Sequence, residues 1–521
     1  MASTFRDVFD AAVGVADVSD SSAALARLQA LSDEVTRADY LAPVERVSLR
    51  FTLSSIAINA GSDFESADLI TWGQMLAESV ALDDDSPDIL VPQAIYNVAN
   101  AGFELAGLEA KADGREASRP SERLKYLEAR RRPRVLSRFV GGYFDAPAET
   151  RSRALTNLAN VLDDSGRWVE AYAAYADALA VWPVNGNAAG NMAELLRRRL
   201  VVGREQRGHV AAVYDAHVRL AKSLRENTVE IAGLAVADRW EALEETGSEG
   251  HLAHGSADGD VYGSWVSVNR LALASAVEGL GTDDLRWDTA TIRHRVPTVE
   301  DRATPGIFAA LNVLKAEYLV ARRMAFRGLQ AIEESQGRQH DSDTGVYADT
   351  EDDALYGEAP ASLVLAQRAA LDVLDKIAVA ANEHFEVGQR PGGVNFSMFW
   401  IEGKTGEPRI CLDEDSQAQR ALLALAELNS DIHEDGLYPA ARLLRNAGTH
   451  RIVHATFGES TGATKETFSS VEIPELEAAV IEALQVTRAA YLYFLDLVDL
   501  SLDDDEGDVV AGQTREIGLQ A

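Results

Sequence analysis

A pattern of small, aromatic and turn-forming residues between Ser152 and Asn185 constrains the fold of this chain most. It predicts one helix that opens at Leu158 and Ala159 and ends at Gly166, a second that starts at Trp168, and a stop at Pro183. The pattern is carried by Leu158, Ala159, Gly166, Trp168, Ala171, Tyr175, Ala178 and Pro183. The alanines let two helices approach closely, and the aromatic side chains fill the groove between neighbours. We therefore expect a helical hairpin.

This hairpin resembles the tetratricopeptide repeat, a unit of about 34 residues. One period later, Met192 and Ala193 stand at the equivalent start of another repeat, and residues 91–100 read as a degenerate copy. One repeat cannot bury its own hydrophobic face, so we expect about three or more. We assign residues 1–245 to tetratricopeptide-like helical repeats that form a solenoid. A plain helical bundle is the alternative.

The charge of the chain limits what it can bind. Its 521 residues include 49 Lys and Arg against 83 Asp and Glu, which gives a formal net charge of −34. This field opposes the approach of phosphate, so general coating of nucleic acid is excluded and any RNA contact must come from a local basic pocket. We interpret the basic run from Arg130 to Arg134 as a solvated connector, with a phosphate-facing patch as the alternative.

Apolar periodicity in the C-terminal part predicts a helical bundle over 305–500. The expected helices cover Ile307 to Ser335, Ala361 to His384, Ser416 to Leu428, Leu437 to Ala455 and Ile473 to Val498. An acidic loop is expected over 341–358, and a packed loop or short strand over 394–400. An irregular linker (246–304) precedes the bundle and an acidic tail (501–521) follows it. The predicted fold class is all-α.

The predicted fourth helix of this bundle contains an Arg and a His with four residues between them. They are Arg445 and His450, and Asn446 directly follows the Arg. Residues five apart on a regular helix lie about 140° around its axis, so the two side chains would face apart. Gly448 lies between them and costs about 1 kcal/mol relative to Ala in a helix. We expect a local irregularity there. The alternative is a surface arginine and a histidine satisfied within the bundle.

The order of these features resembles the HEPN superfamily, whose members carry an R-x4-6-H motif with a polar residue often next to the Arg. It also resembles the HEPN subfamily in which tetratricopeptide repeats precede the domain. Beside the motif, the resemblance is carried by Tyr262-Gly263-Ser264-Trp265 with Asn269, by Leu311 to Arg322, by Leu374 to Ala378 and by Val394-Asn395-Phe396. It covers residues 150 to 500.

The resemblance implies a metal-independent ribonuclease without a cofactor, which acts as a homodimer or higher oligomer with two motifs facing one another. RNA is then the substrate, and the repeats bind a protein partner or sense a trigger. The resemblance also implies a role in bacterial defence or stress response.

The motif residues have the chemistry that such cleavage needs. Attack by a ribose 2′-OH needs a proton acceptor near neutral pH, and the ordinary histidine pKa of about 6.5 makes His450 the candidate base or acid. Arg445 is the candidate for stabilising the phosphoryl oxygens, because a guanidinium offers fixed donors and stays charged. Asn446 can donate its amide N–H to phosphate or orient the imidazole.

Four further residues are possible supporting groups of this site. His454 lies four residues after His450 and would share its face on a helix. Lys315, Glu317 and Arg322 lie on the first helix of the bundle, where they would line the cleft or pair with other charges. We interpret Asp375 and Lys376 as a structural ion pair.

The remaining features carry little chemistry. Cys411 is the single cysteine and is expected to be a small apolar filler. His251 and His254 have the spacing of metal ligands but lack a third committed ligand, so no metal is predicted. No basic and apolar leader and no membrane-spanning run is found, so we expect a cytoplasmic protein with no membrane partner.

Two functions of other classes compete with the nuclease. A non-catalytic scaffold would use repeats and bundle for protein recognition, and the net charge favours this reading. Binding of a nucleotide or another small molecule by the bundle is the third possibility, and no glycine-rich phosphate loop supports it.

Overall fold

Most of the chain is described in the computed structural model. The described residues are 5–18, 20–112, 120–202, 207–247, 260–274, 288–291, 306–335, 345–348, 354–413, 416–433, 435–441, 452–457 and 468–504. They group into two compact units. The first is drawn from Met1–Asp164, Glu170–Met192 and His217–Leu243. The second is drawn from Ser165–Val169, Ala193–Ala216 and Glu244–Ala521.

The first unit is built from helices joined by short connections. Its helices are α1 (Phe5–Val13), a 3₁₀ turn (Gly14–Asp17), α2 (Ser21–Arg37), α3 (Pro43–Asp63), α4 (Ala67–Ala81), α5 (Leu90–Ala112), α6 (Pro120–Ala129), α7 (Arg131–Gly142), α8 (Ala148–Asp164), α12 (Arg225–Ala232) and α13 (Leu234–Glu241). Three helices contribute residues to both units, namely α9 (Trp168–Val181), α10 (Gly186–Val202) and α11 (Arg207–Ser223).

Local sequence signals explain where several of these helices begin. The Asp20 side chain accepts a hydrogen bond from the Ala23 amide at 2.9 Å and caps α2. Helix α3 begins with Pro43, which has no amide hydrogen to satisfy, and the Glu45 carboxylate accepts from the Ala42 amide at 2.8 Å. Such caps satisfy donors that a helix start leaves unpaired.

Glycine allows α3 and α4 to approach closely. A Cβ built on Gly73 would lie 2.8 Å from Ile58 Cγ1 and 3.0 Å from the Ser54 carbonyl oxygen. A Cβ on Gly61 would lie 2.9 Å from the backbone nitrogen of Ile70. Any larger residue would therefore push the two helices apart.

Helix α9 starts at Trp168 as predicted and α8 ends before Gly166, but the predicted opening of α8 at Leu158 and Ala159 is wrong, because the helix begins at Ala148. Between them Gly166 has φ of +85°, a conformation that favours glycine, and α9 ends at Val181, before Pro183. The small residues of the pattern, Ala159, Ala171 and Ala178, are fully buried. The two helices are confirmed, and their assignment to the tetratricopeptide class stays a prediction.

Side-chain amides link helices of the first unit that do not follow one another in the chain. The donors lie on α5, α8 and α10, and they bond to side chains on α3, α5 and α8, respectively. The bonds are Asn97 to Ser55 at 2.8 Å, Asn157 to Asn100 at 3.2 Å and Asn191 to Asn160 at 2.9 Å. These contacts fix helices that are not consecutive in the chain.

The second unit is a helical bundle with a small sheet. Its elements are α14 (Val261–Val268), α15 (Gly306–Ser335), β1 (Ala354–Leu355), α16 (Glu358–His384), a 3₁₀ turn (Pro391–Gly393), α17 (Phe396–Phe399), α18 (Ala418–Asp431), β2 (Ile452–Thr456), β3 (Phe468–Glu472) and α19 (Ile473–Asp504). Helix α15 packs on α16, and both pack on α19 together with α18. The all-α class is confirmed. No described helix has the length and apolarity needed to span a membrane.

The sheet corrects one prediction. The expected helix from Leu437 to Ala455 is wrong at its C-terminal end, where Ile452–Thr456 forms the central strand of the order β1-β2-β3. Strand β2 pairs antiparallel with β1 and parallel with β3. The β-branched residues Ile452, Val453 and Thr456 favour a strand, and neighbours on both sides supply its backbone hydrogen bonds.

The segment 394–400 also differs from its prediction of a loop or short strand. It contains the four-residue helix Phe396–Phe399, and the Asp375 carboxylate accepts a hydrogen bond from the Phe396 amide at 2.9 Å. Phe396, Phe399 and Trp400 are buried. Asp375 therefore holds the start of this helix.

Candidate functional site

The three principal candidates, Arg445, Asn446 and His450, lie outside the described residues, as does Gly448. The described chain reaches residue 441 before them and resumes at residue 452 after them. Leu437, Tyr438 and Ala441 are buried on the side that leads into the motif. On the other side β2 begins at once. The motif is thus bracketed by a packed segment of the second unit and by the central strand of its sheet.

His454 lies on β2 and is half-buried. In the strand pairing it stands opposite Ser470 of β3. We expected His454 to share a helical face with His450. This expectation is wrong, because residues 452–456 form a strand. Its supporting role stays a prediction.

Arg322 forms the centre of a buried polar network. Its guanidinium donates two hydrogen bonds to the Asp288 carboxylate, at 2.9 and 2.7 Å. It also donates to the Tyr262 hydroxyl at 2.9 Å and to the Leu271 carbonyl oxygen at 2.8 Å. The Tyr318 hydroxyl donates to that same carbonyl at 2.8 Å. Arg322 thus holds segments 260–274 and 288–291 to α15. Its hydrogen bonds and its ion pair with Asp288 satisfy the charge that burial would otherwise leave unpaired.

Electrostatics in this network follow from burial and pairing. Burial raises the pKa of Asp288, but the hydrogen bonds and charge of Arg322 outweigh it and hold that pKa below its ordinary value. Burial lowers the pKa of Arg322, and the Asp288 carboxylate more than compensates, so it lies above its ordinary value. Burial also raises the pKa of Tyr318. Arg322 and Asp288 are therefore both ionised at neutral pH.

Lys315 belongs to the same region. Its ammonium donates to the carbonyl oxygens of Asp288 and, at 3.3 Å, of Ala290. The backbone of 288–291 is therefore bound by two side chains of α15, Lys315 and Arg322. The supporting role of these two residues at the candidate site stays a prediction.

Glu317 forms a separate ion pair at the surface. Its carboxylate lies 2.6 Å from the Lys376 ammonium, which joins α15 to α16. The interpretation of Asp375 and Lys376 as an ion pair with each other is wrong, since Asp375 binds the Phe396 amide and Lys376 binds Glu317. Adjacent residues on a helix point in different directions, so each finds its own partner.

Sequence reasoning missed the residues that complete the Arg322 network. Asp288 and Arg488 were not singled out, although Arg488 interrupts an apolar helix, which is a signal of a buried and bonded charge. Arg488 donates to the carbonyl oxygens of Ala272 and Ala274 at 2.6 and 2.8 Å. Segment 260–274 is thereby bound by α19 as well as by α15.

The basic run from Arg130 to Arg134 is not a solvated connector. Arg131–Gly142 is a helix, and Arg134 is fully buried and donates to the Leu127 carbonyl at 2.8 Å. The other three arginines pair with acids of the first unit. The pairs are Arg130 with Asp164 at 3.0 Å, Arg131 with Glu128 at 3.2 Å and Arg132 with Glu78 at 3.0 Å. These guanidinium groups stabilise the helices around α7.

Two further sequence features have plain outcomes. Cys411 is exposed, so its expected role as an apolar filler is wrong. His251 and His254 lie outside the described residues. Among the residues that are described, no group of three or more His, Cys, Asp or Glu side chains is arranged to hold a metal ion.

In a comparison with known families, residues 298–501 match the model of the LA2681-like HEPN family. This match supports a C-terminal HEPN domain. It contains Arg445, Asn446, His450 and the four supporting residues. Comparison with curated proteins gave no match.

Proposed function

We propose that the protein is a metal-independent HEPN endoribonuclease. The HEPN family match over 298–501 carries this proposal. It contains Arg445 and His450, the Arg and His in R-x4-H spacing to which we assign the chemistry. Nuclease and RNA-related roles are general among HEPN domains.

The proposed reaction needs only the ribose and these side chains. The 2′-oxygen attacks the adjacent phosphorus as His450 takes its proton, and the bond from phosphorus to the 5′-oxygen breaks. The His450 imidazolium returns this proton, through water, to the leaving 5′-oxygen, so the products are a 2′,3′-cyclic phosphate and a 5′-hydroxyl. Arg445 and Asn446 stabilise the charge that develops on the phosphoryl oxygens.

The site is expected to be completed by a second copy of the chain, with two motifs facing one another. The helical repeats of the N-terminal part then bind a protein partner or sense a trigger, in bacterial defence or stress response. The charge of −34 opposes the approach of RNA to the surface as a whole, so this function requires a local site for RNA contact.

Cleavage of single-stranded RNA by the purified full-length protein in EDTA tests the proposal. Wild type is expected to leave cyclic-phosphate or 3′-phosphate ends, and His450→Ala and Arg445→Ala to lose about 100-fold or more of the rate. His384→Ala, which removes a histidine at the end of α16, serves as the matched control and is expected to cleave like wild type. Cleavage that persists in His450→Ala would refute the assigned role.

A non-catalytic scaffold is the second candidate, and the net charge of −34 favours it. Expression in a host cell distinguishes the two. A nuclease slows growth and Arg445→Ala restores it, whereas a scaffold gives equal growth for wild type and variant.

A further inference from the structure

Three consecutive residues of the α8–α9 turn, Gly166, Arg167 and Trp168, are bound by helices of the bundle within the second unit. Arg167 is fully buried. Its guanidinium lies 3.3 Å from a Glu427 carboxylate oxygen and forms a closer ion pair with Asp431, both on α18. One cation thus faces two buried carboxylates on successive turns of a single helix.

The backbone of the turn lies close against α18. Gly166 adopts φ of +85°, and a Cβ at this position would lie 2.6 Å from the carbonyl oxygen of Arg420 on α18. A glycine is therefore required both by the conformation and by the contact. Arg167 is presented to α18 by backbone that itself packs against that helix.

Trp168 forms a second attachment, to α19. Its indole N–H donates to the Asp496 carboxylate at 2.8 Å, and its ring packs edge-on against Tyr493. Arg199 of α10 donates to both oxygens of Asp496, at 2.8 and 3.2 Å, and stacks over the Trp168 ring at 3.9 Å. This tryptophan, expected to fill a groove between repeats, is bonded to the bundle.

One of the two carboxylates that Arg167 binds, that of Asp431, lies at the C-terminal end of α18. Asp431 is the last residue of that helix, and its carbonyl oxygen accepts a hydrogen bond from the Tyr438 amide at 2.9 Å. Only six residues separate Tyr438 from Arg445 in the sequence. The segment that leads into the motif is thus tied to the residue that Arg167 holds.

We propose that Arg167 is a positioning residue, which fixes the end of α18 and, through Asp431, the backbone at Tyr438. The consequence for catalysis rests on the proposed ribonuclease function, whereas the consequence for Tyr438 does not.

Hydrogen exchange of the full-length protein, measured on a peptide that contains the Tyr438 amide, tests the proposal. Arg167→Met removes the charge and keeps much of the side-chain volume, and is expected to speed exchange at Tyr438 by about tenfold while α15 exchanges as in wild type. Arg225→Met is the matched control, because it breaks the exposed Arg225–Asp238 pair of the first unit and leaves α18 untouched. If Arg167→Met does not fold, Arg167→Lys keeps the charge, loses the planar fork and is expected to give a smaller acceleration.

RNA cleavage supplies the second readout. In folded Arg167→Met we expect kcat to fall about tenfold with KM unchanged, because substrate contacts remain while the reacting groups are misplaced. Tyr438 exchange equal to wild type in a folded Arg167 variant, or no faster than in Arg225→Met, overturns the proposal. If the wild type cleaves no RNA, the ribonuclease proposal fails and Tyr438 exchange still decides the role of Arg167.

Discussion

Two contact regions show different ways of holding helical chain together. In the first unit α3 and α4 meet at Gly61 and Gly73, where side chains are absent and backbones come close. In the second unit α15 holds segments 260–274 and 288–291 through Arg322, whose bonds reach a carboxylate, a hydroxyl and a carbonyl. The first contact is steric and the second is polar. Different substitutions should therefore disrupt the two contacts, and the losses of unfolding free energy should differ in size.

The largest effect is expected for Arg322→Ala. It removes the bidentate partner of the mostly buried Asp288 carboxylate, and breaking a buried pair in this way costs about 3–5 kcal/mol of unfolding free energy. Arg327→Ala, an exposed position on the same helix, is expected to change stability by less than about 0.5 kcal/mol. Urea denaturation of both variants checks this. Equal stabilities would show that the network contributes nothing.

A glycine exchange tests the steric contact. Gly73→Ala gains about 1 kcal/mol of helix propensity but forces a Cβ to 2.8 Å from Ile58, which costs about 1–3 kcal/mol. We expect a net loss. Gly107→Ala, in α5, meets nothing within 4 Å and is expected to gain up to about 1 kcal/mol. Thermal denaturation should move the two variants in opposite directions, and shifts of the same sign would contradict the steric account.

Acid should weaken the polar contact made by Arg322 and Asp288 and leave the steric contact of α3 with α4 unchanged. The folded pKa of Asp288 lies below its unfolded value, so its contribution to stability is present above the unfolded value, near 3.9, and is lost as pH falls through the folded value. Urea denaturation of wild type and Asp288→Asn over pH 6 to 3 checks this. Asp288→Asn is expected to show the shallower decline, and parallel curves would refute the assignment.

The smallest effect is expected for Lys376→Ala. The Glu317–Lys376 pair also joins α15 to a neighbour, but both side chains are partly exposed and such pairs contribute about 0.2–1 kcal/mol. Salt should weaken this contribution further. A loss as large as that of Arg322→Ala would mean that burial does not separate these two charge pairs.

The contrast also explains how far sequence reasoning reached. The spacing of apolar and small residues predicted α8, α9, α15 and α16, because helix periodicity is local. The partner of Arg322 lies 34 residues away, outside any local pattern. The strand Ile452–Thr456 was missed because its pairing with β1 and β3, rather than its own periodicity, stabilises it. Trp168 fitted the repeat pattern, and its bond to Asp496 depends on a residue 328 positions later.

Cleavage of a DNA oligonucleotide that contains a single ribose, with EDTA present, shows whether the 2′-oxygen is the nucleophile and His450 its base. Attack by the 2′-oxygen predicts one cut, at the phosphate directly 3′ to the ribose, with a cyclic phosphate on the upstream product and no cut when His450 is alanine. Cleavage at deoxyribose positions, or dependence on an added divalent metal, would contradict the account.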